Sequence, residues 1–339
     1  MKKSMLLLGV ALGLQGCFLV PILYTDKDGR FMQEVVNLEE FNSEFDDYNS
    51  NLAQNRYGEL NLVFSSKRNK KEYLNLVHYE ASLRYDEKKK VVNGLLKGYL
   101  GGGINERYNA TSWLASYANG DFNVYGPNVL SMKHDFPWVA TEPEVLTLFY
   151  ADDAAGRMQI KYLYYDQNKE TKGPFTFDML NSTGNDAYPT FSQQGDKIYF
   201  CSDRAGTFDL YEVTIQGTHG TRLESFVNPK NYSIRKMDEL SSPYHDKCPY
   251  LYGNTLVFVS DRPGGQGGFD IYYSTLEDGR WSPPLNAGSR INTAANEYRP
   301  ILPDLSNFNY NLMLFSSDRP GGKGGYDLYM TGLTERKYW

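Results

Sequence analysis

One short string occurs three times in this chain: FCSDRAGTFDLY from Phe200 to Tyr211, FVSDRPGGQGGFDIYY from Phe258 to Tyr273, and FSSDRPGGKGGYDLY from Phe315 to Tyr329. Each runs from an apolar stretch through Ser-Asp-Arg and a glycine-rich tip into an aromatic-Asp-aliphatic-Tyr segment. Glycine supplies the positive φ angles a reversal needs, so each string reads as a β-hairpin. A second strand signal, with a proline in it, precedes each hairpin: AYPTFSQQGDKIYF, CPYLYGNTLVF and YRPILPDLSNFNYNLMLF. Tandem copies at a spacing of roughly 58 residues mark propellers and other repeat folds. The turn between Asp203 and Asp209 is shorter than its counterparts at Asp261 to Asp270 and Asp318 to Asp327, which places the length change in a solvent-facing loop.

Weaker copies lie upstream, at Phe64 in LVFSSKRN and Phe149 in LTLFYADDAAGR. The interval between them has room for two compact units, and SWLASYANGDFNVYG from Ser112 to Gly126 reads as the missing hairpin, with Asn119-Gly120 at its turn. Six units result, the second degenerate, with five as the alternative. Strands Leu256 to Val259 and Leu312 to Phe315 are apolar on both faces, so both faces must be covered. Blades stacked around an axis do this, whereas a solenoid needs a regular short coil and capping units that do not appear. The expected fold is an all-β, six-bladed β-propeller. Its last hairpin ends near Met330, so the ring needs an outer strand from elsewhere, and RFMQEVVNLEEF from Arg30 to Phe41 is the candidate latch.

These strings resemble the WD-like, TolB-type β-propeller repeat of bacterial envelope proteins, especially outer-membrane-associated proteins of the Bacteroidota. WSPPLNAGSRINTAANEYRPILP from Trp281 to Pro303, followed by Ser-Asp-Arg-Pro-Gly-Gly, carries the resemblance most specifically. The resemblance implies a scaffold and no particular reaction, because propellers host many unrelated functions.

The N-terminus has the layout of an export signal: Lys2 and Lys3, the apolar segment Met5 to Leu14, then Leu14-Gln15-Gly16-Cys17. It resembles a bacterial lipoprotein signal, which implies a diacylglycerol on Cys17; an uncleaved anchor and ordinary secretion are the alternatives. The expected organisation is a signal peptide over 1–16, an apolar membrane-proximal tether over 17–29 and one propeller over 30–339. Apolar Phe18 to Tyr24 is unlike a free linker, so it lies on the propeller flank, in lipid headgroups or on a membrane partner. The expected location is the outer membrane, lipid-anchored, with its face left open.

The net charge is −6, from 35 basic and 41 acidic residues, and the basic ones are dispersed, which argues against nucleic acid. Ser-Asp-Arg offers a hydroxyl, a carboxylate and a guanidinium together, yet a reaction centre needs only one copy. Asp203, Arg204, Asp261, Arg262, Asp318 and Arg319 are therefore read as structural, the aspartates capping turn amides and the arginines tying carbonyls or a neighbouring blade. His78, His134, His219 and His245 form no zinc-type spacing, no G-x-S-x-G occurs, and neither Asp26 to Gly29 nor Asp152-Asp153 completes a calcium loop. No metal, cofactor or catalytic residue is assigned. Cys201 and Cys248 are read as buried thiols, with a bridge as the alternative. Of the abundant aromatics, Trp113, Tyr117, Phe122, Tyr125 and Trp138 fall outside the repeat and form a candidate binding face. The expected function is non-enzymatic: an interaction scaffold or accessory subunit docking on outer-membrane proteins such as a β-barrel complex, with the bilayer reached through Cys17. The alternatives are a glycan hydrolase or lyase, with acidic groups converging at the central channel, and a propeller that binds glycan or peptide.

Overall fold

In the computed structural model, the alternation of apolar runs and turn residues becomes a succession of antiparallel strands. The structure describes residues 34–54, 60–81, 83–86, 91–94, 110–133, 144–166, 170–217, 223–304 and 310–335. After β1 (Val36–Asn37), the first blade comprises β2 (Asp47–Gln54), β3 (Leu60–Ser66) and β4 (Asn75–Ala81). A separate two-stranded hairpin, β5 (Leu83–Asp86) and β6 (Val91–Gly94), and the helix α1 (Ala110–Ala118) follow. The second blade is β7 (Val124–Lys133), β8 (Glu144–Asp152), β9 (Gln159–Tyr165) and β10 (Thr171–Thr176). The third is β11 (Asp186–Phe191), β12 (Lys197–Ser202), β13 (Asp209–Ile215) and, after the short α2 (Leu223–Val227), β14 (Tyr232–Lys236). The fourth is β15 (Asp246–Tyr252), β16 (Thr255–Ser260) and β17 (Asp270–Glu277), with both β18 (Arg280–Trp281) and β19 (Leu285–Asn286) on the outer side of β17. The fifth is β20 (Glu297–Ile301), β21 (Tyr310–Ser317) and β22 (Asp327–Glu335), completed by β1, which pairs Val36 with Met330 and Asn37 with Tyr329. The expected N-terminal latch therefore closes the ring.

Five junctions of one design establish five blades. The residue opening each inner strand donates its N–H to a carbonyl of the preceding blade: Val124 to Leu74, Asp186 to Met158, Asp246 to Phe208, Glu297 to Phe269, and Asp47 to Tyr326. The last of these shuts the circle. A second fivefold set anchors the linkers. Asn42, Asn119, Asn181 and Asn292 each bond both the N–H and the C=O of one third-strand residue, respectively Leu328, Leu76, Ile160 and Ile271. Ser241 accepts from the N–H of Leu210 at the same place. Asn119, expected at the turn of a sixth hairpin, is thus the linker residue of the second blade.

The segment counted as a second unit is not a blade. Its first part forms α1, whose Leu114, Ala115 and Ala118 are buried against the first and second blades, and its last part opens β7. No helix among the described residues is long and apolar enough to cross a membrane.

Every inner strand bulges at the same point. Asn49, Gly126, Tyr188, Cys248 and Arg299 all have positive φ, between 46° and 61°, and the pairing register shifts beside each. In four blades a proline follows: Pro127, Pro189, Pro249 and Pro300. Proline in a sheet belongs at an edge or a bulge, because it has no N–H to give the ladder. The inner strand supplies both, being the edge that faces the axis.

Candidate functional site

The Ser-Asp-Arg element builds the frame around the channel. In the third blade Arg204 lies across the rings of Phe200 and Tyr211, with its guanidinium 5.1 and 4.9 Å from their centres. From there it donates to Ser202 Oγ, to the Leu180 carbonyl and to Asp186, the acid that opens the inner strand. Arg262 and Arg319 repeat this with Asp246 and Glu297, and Arg68 does the same in the first blade with Asp47. Burial pushes the Glu297 carboxyl up, and bonds from Thr293 together with the charge of Arg319 oppose the shift.

The aspartate of the element acts differently from expectation. Asp203, Asp261 and Asp318 accept the N–H of Asn185, His245 and Asn296, which stand just before the inner strands. The turn amides of the glycine tips go to the later aspartates: Asp270 accepts from Gln266 N, and Asp327 from Lys323 N. The tips also press on the next blade. A Cβ on Gly267 would come within 2.3 Å of the Ala295 carbonyl oxygen, and one on Gly324 within 2.1 Å of that of Phe45.

The proposed aromatic face is not one face. Trp113 and Tyr117 stand exposed on α1, and Phe122 packs at the interface of the first two blades. Tyr125 points instead to the end of the channel where the inner strands begin. Trp138 and Cys17 lie outside the described residues.

At that end of the channel the structure assembles a half-buried bowl of rings that sequence reasoning missed. Tyr48 stacks on Tyr326 at 5.3 Å and meets Tyr298 edge-on at 6.3 Å. Tyr298 in turn meets Phe269 at 5.6 Å and Tyr188 at 6.3 Å. Lys247 spans the bowl over Phe208 and Phe269, its ammonium 4.4 and 5.1 Å from the ring centres. Tyr48, Tyr125, Lys247 and Tyr298 occupy the same position, one residue before the bulge, in four blades. That shared position was the available signal.

Two carboxylates stand here, and one of them departs from the repeat. Asp46 stands where the other blades have Asn123, Asn185, His245 and Asn296. It pairs with Lys67 at 3.1 Å and accepts the N–H of Tyr326. Asp153 accepts from the Asn123 backbone and side chain as its equivalents do, and alone among them takes a tyrosine hydroxyl, that of Tyr125 at 3.2 Å. Burial raises the pKa of Tyr48, and Tyr125 and Asp46 add to it; burial also raises that of Tyr125, helped by Asp153. The tyrosines are therefore neutral donors, and the two carboxylates flank them from adjacent blades. Among the described residues no three potential metal ligands cluster. Cys201 and Cys248 are buried free thiols, and burial holds both protonated, Cys248 pushed up to about 11.

Fold and site together define an all-β, five-bladed β-propeller with an aromatic, carboxylate-flanked channel mouth. No family model matches the chain, and no curated protein matches it. Among solved structures it is similar to the endo-arabinase of Bacteroides thetaiotaomicron, at a TM-score of 0.50 and 12% identity, over 91% of this chain and 98% of that one. It is also similar to the catalytic domain of the GH62 α-L-arabinofuranosidase of Coprinopsis cinerea, with a TM-score of 0.46, 13% identity, and 89% and 97% coverage. TolB from Acinetobacter baumannii matches at a TM-score of 0.34 and 13% identity, over 85% of this chain and 69% of TolB. At 12% identity the likeness to the endo-arabinase bears on the fold alone. The expectation of a non-enzymatic scaffold does not stand, because the architecture taken for a docking platform is one this chain shares with an endo-arabinase. The physical reason is that a site assembled from separate blades leaves no contiguous signature in the sequence, so a missing sequence motif carried no weight against catalysis.

Proposed function

We propose that the protein is a glycan-active enzyme whose saccharide chain lies across the ring bowl at the channel mouth. One observation carries the reading: Tyr48, Tyr125, Tyr298 and Tyr326 present half-buried aromatic surface and neutral hydroxyls beside two carboxylates, Asp46, which departs from the repeat, and Asp153, which takes the Tyr125 hydroxyl besides its repeated bonds. Sugar faces carry C–H groups that pack on rings, and their hydroxyls seek carboxylates and amides. Hydrolysis of a glycosidic bond further needs one carboxyl to protonate the leaving oxygen and another to activate water or attack the sugar. Asp46 and Asp153 are the residues assigned to that work. Arabinan is the first substrate to test, given the fold shared with an endo-arabinase.

The test is reducing-end release from a panel of arabinan, xylan, mannan and pectic polymers. Cleavage of one polymer, lowered by about 10³-fold or more in both Asp46→Asn and Asp153→Asn with folding retained, is the expected result; losses of this order reflect removal of general acid–base and electrostatic contributions. Cleavage unaffected by either substitution would refute the assignment. We also place the enzyme at the outer membrane through an acylated Cys17, the reading supported by the Lys2-Lys3, apolar segment and Leu14-to-Cys17 pattern. Mass spectrometry of the membrane-extracted protein tests this: a mature N-terminus at Cys17 carrying acyl chains is expected, and an unmodified cysteine would exclude it.

A further inference from the structure

Among the described residues, Arg299 is the largest side chain that is wholly buried, and it reaches across the ring of inner strands. It leaves β20 in the fifth blade and donates to the Pro249 carbonyl of β15 at 3.2 Å and the Pro127 carbonyl of β7 at 3.4 Å. Tyr188 and Tyr250 flank its guanidinium at 5.3 and 5.7 Å. A chord from the fifth blade to the second passes in front of β2, the inner strand between them.

Among the described residues no carboxylate pairs with this cation. Burial draws its pKa down, and the opposing groups are Cys248, Tyr188, Tyr250 and Cys201, all uncharged at neutral pH. Guanidinium keeps its proton in proteins, so the charge stays. An uncompensated buried charge is strongly destabilising, and two long carbonyl contacts and two ring faces offset only part of that. The same level of the channel holds further unpartnered groups. Arg299 Nε, both amide atoms of Asn49 and the hydroxyl of Ser50 are buried without a hydrogen-bond partner. Asn49 and Ser50 sit on β2, at the bulge position equivalent to that of Arg299 and just after it.

A positive charge and its unpartnered N–H, with an unpartnered amide and hydroxyl on the neighbouring inner strand, select a negative ligand, and their complete burial selects a small one. We propose that the channel axis is a binding site for a small inorganic anion of halide size, held by Arg299 Nε, the Asn49 amide and the Ser50 hydroxyl. The anion supplies the missing counter-charge and ties β20 to β2 across the ring closure. This stands independently of the activity at the mouth.

Crystals of the full chain grown in sodium bromide and measured at the bromine edge test it. An anomalous peak within hydrogen-bond distance of Arg299 Nε is expected, and its absence from that position overturns the site. Thermal unfolding gives a second reading. From about 1 to 100 mM sodium chloride, with gluconate holding ionic strength constant, the midpoint should rise by about a few degrees, as for a ligand bound only by the folded state. Asn49→Ala should shift this dependence to higher chloride, and Arg299→Met should abolish it. A chloride dependence equal in the two variants and the parent would overturn the assignment, and if Arg299→Met does not fold, the bromide peak in the parent still decides.

Discussion

Removing the Arg262 side chain tests the structural logic of the whole ring. Arg262 is 17% exposed and pairs at 2.5 Å with Asp246, whose side chain has no exposure. It also donates to the Leu240 carbonyl at 2.7 Å and to Ser260 Oγ at 2.9 Å, and lies 5.4 and 4.9 Å from the ring centres of Phe258 and Tyr272. In Arg262→Ala the Asp246 carboxylate keeps the backbone N–H and hydroxyl of Ser242 but loses its counter-ion. Breaking a buried pair from one side costs about 3–5 kcal/mol, and the partial exposure of the arginine favours the lower end.

The second blade shows how the cost can be avoided. Val124 replaces the inner acid and Ala154 replaces the arginine, so neither is left alone, and an Asp152–Lys161 pair at 2.9 Å fills the hairpin instead. The double variant Arg262→Ala, Asp246→Val should therefore be more stable than Arg262→Ala alone by at least ~1 kcal/mol, because the stranded charge is gone. Urea denaturation with a constant slope is the assay. If the single variants' losses add in the double variant, the arginine stabilises through ring packing and carbonyl contacts, and the ion-pair argument fails.

Three further outcomes follow from named contacts. Burial lowers the His78 pKa to about 4, while the unfolded chain titrates near 6.5, so between these values the unfolded state binds the extra proton. Stability should thus rise with pH from about 4 to 6.5, by on the order of 1–3 kcal/mol, and His78→Gln should flatten that part of the profile in pH-dependent urea melts. Gly126 has φ +53°, and a Cβ there would fall 2.3 Å from the buried Tyr188 ring, so Gly126→Ala should destabilise by about 2–3 kcal/mol in the same assay. Leu38→Asp puts a charge where Leu38, 1% exposed, packs with Leu328 and Met330 beside the closing β1 strand; early deuterium exchange at β22, with the third blade still protected, is the expected signature.

Most of the scaffold was legible because each blade is a local object. Hairpins of the third to fifth blades, prolines in the inner strands and the need for an N-terminal closing strand all follow from turn chemistry and edge geometry within short windows. The blade count was not legible from the same hairpins. The first blade carries an inserted pair of strands and a helix, and the spacing of Phe64 and Phe149 absorbed that insertion as if it were a repeat. A better ruler was present in the linker string, which reads FNSEFDD at Phe41, ANGDFNV at Ala118, LNSTGND at Leu180, LSSPYHD at Leu240 and INTAANE at Ile291. It occurs five times because every junction needs one residue to hold the third strand and one to open the next blade. The mouth was hidden for another reason: Tyr48, Tyr125 and Tyr298 are far apart in the chain and come to one end only because the inner strands start on one circle, where Tyr326, just ahead of β22, joins them.

Repetition within the molecule separates scaffold from function with a physical criterion. A residue recurring in register around the ring answers a requirement that every blade shares, as the arginine–acid pairs and linker asparagines do. A departure must either be compensated locally or serve something the other blades do not do. The second blade's loss of the arginine is compensated, since its acid is lost too. Asp46 stands in place of an amide or imidazole, and its charge is balanced by Lys67, which stands where the other blades have an aspartate; Arg299, at a position filled elsewhere by Asn49, Gly126, Tyr188 and Cys248, has no such local compensation. Asp46 and the tyrosines share the channel mouth, and Arg299 holds the axis beneath them. Activity that followed Asp46 and Asp153 but was indifferent to Asp203, Asp261 and Asp318 apart from their effect on folding would confirm that position at the mouth, rather than membership of the repeat, decides which carboxylates carry the chemistry.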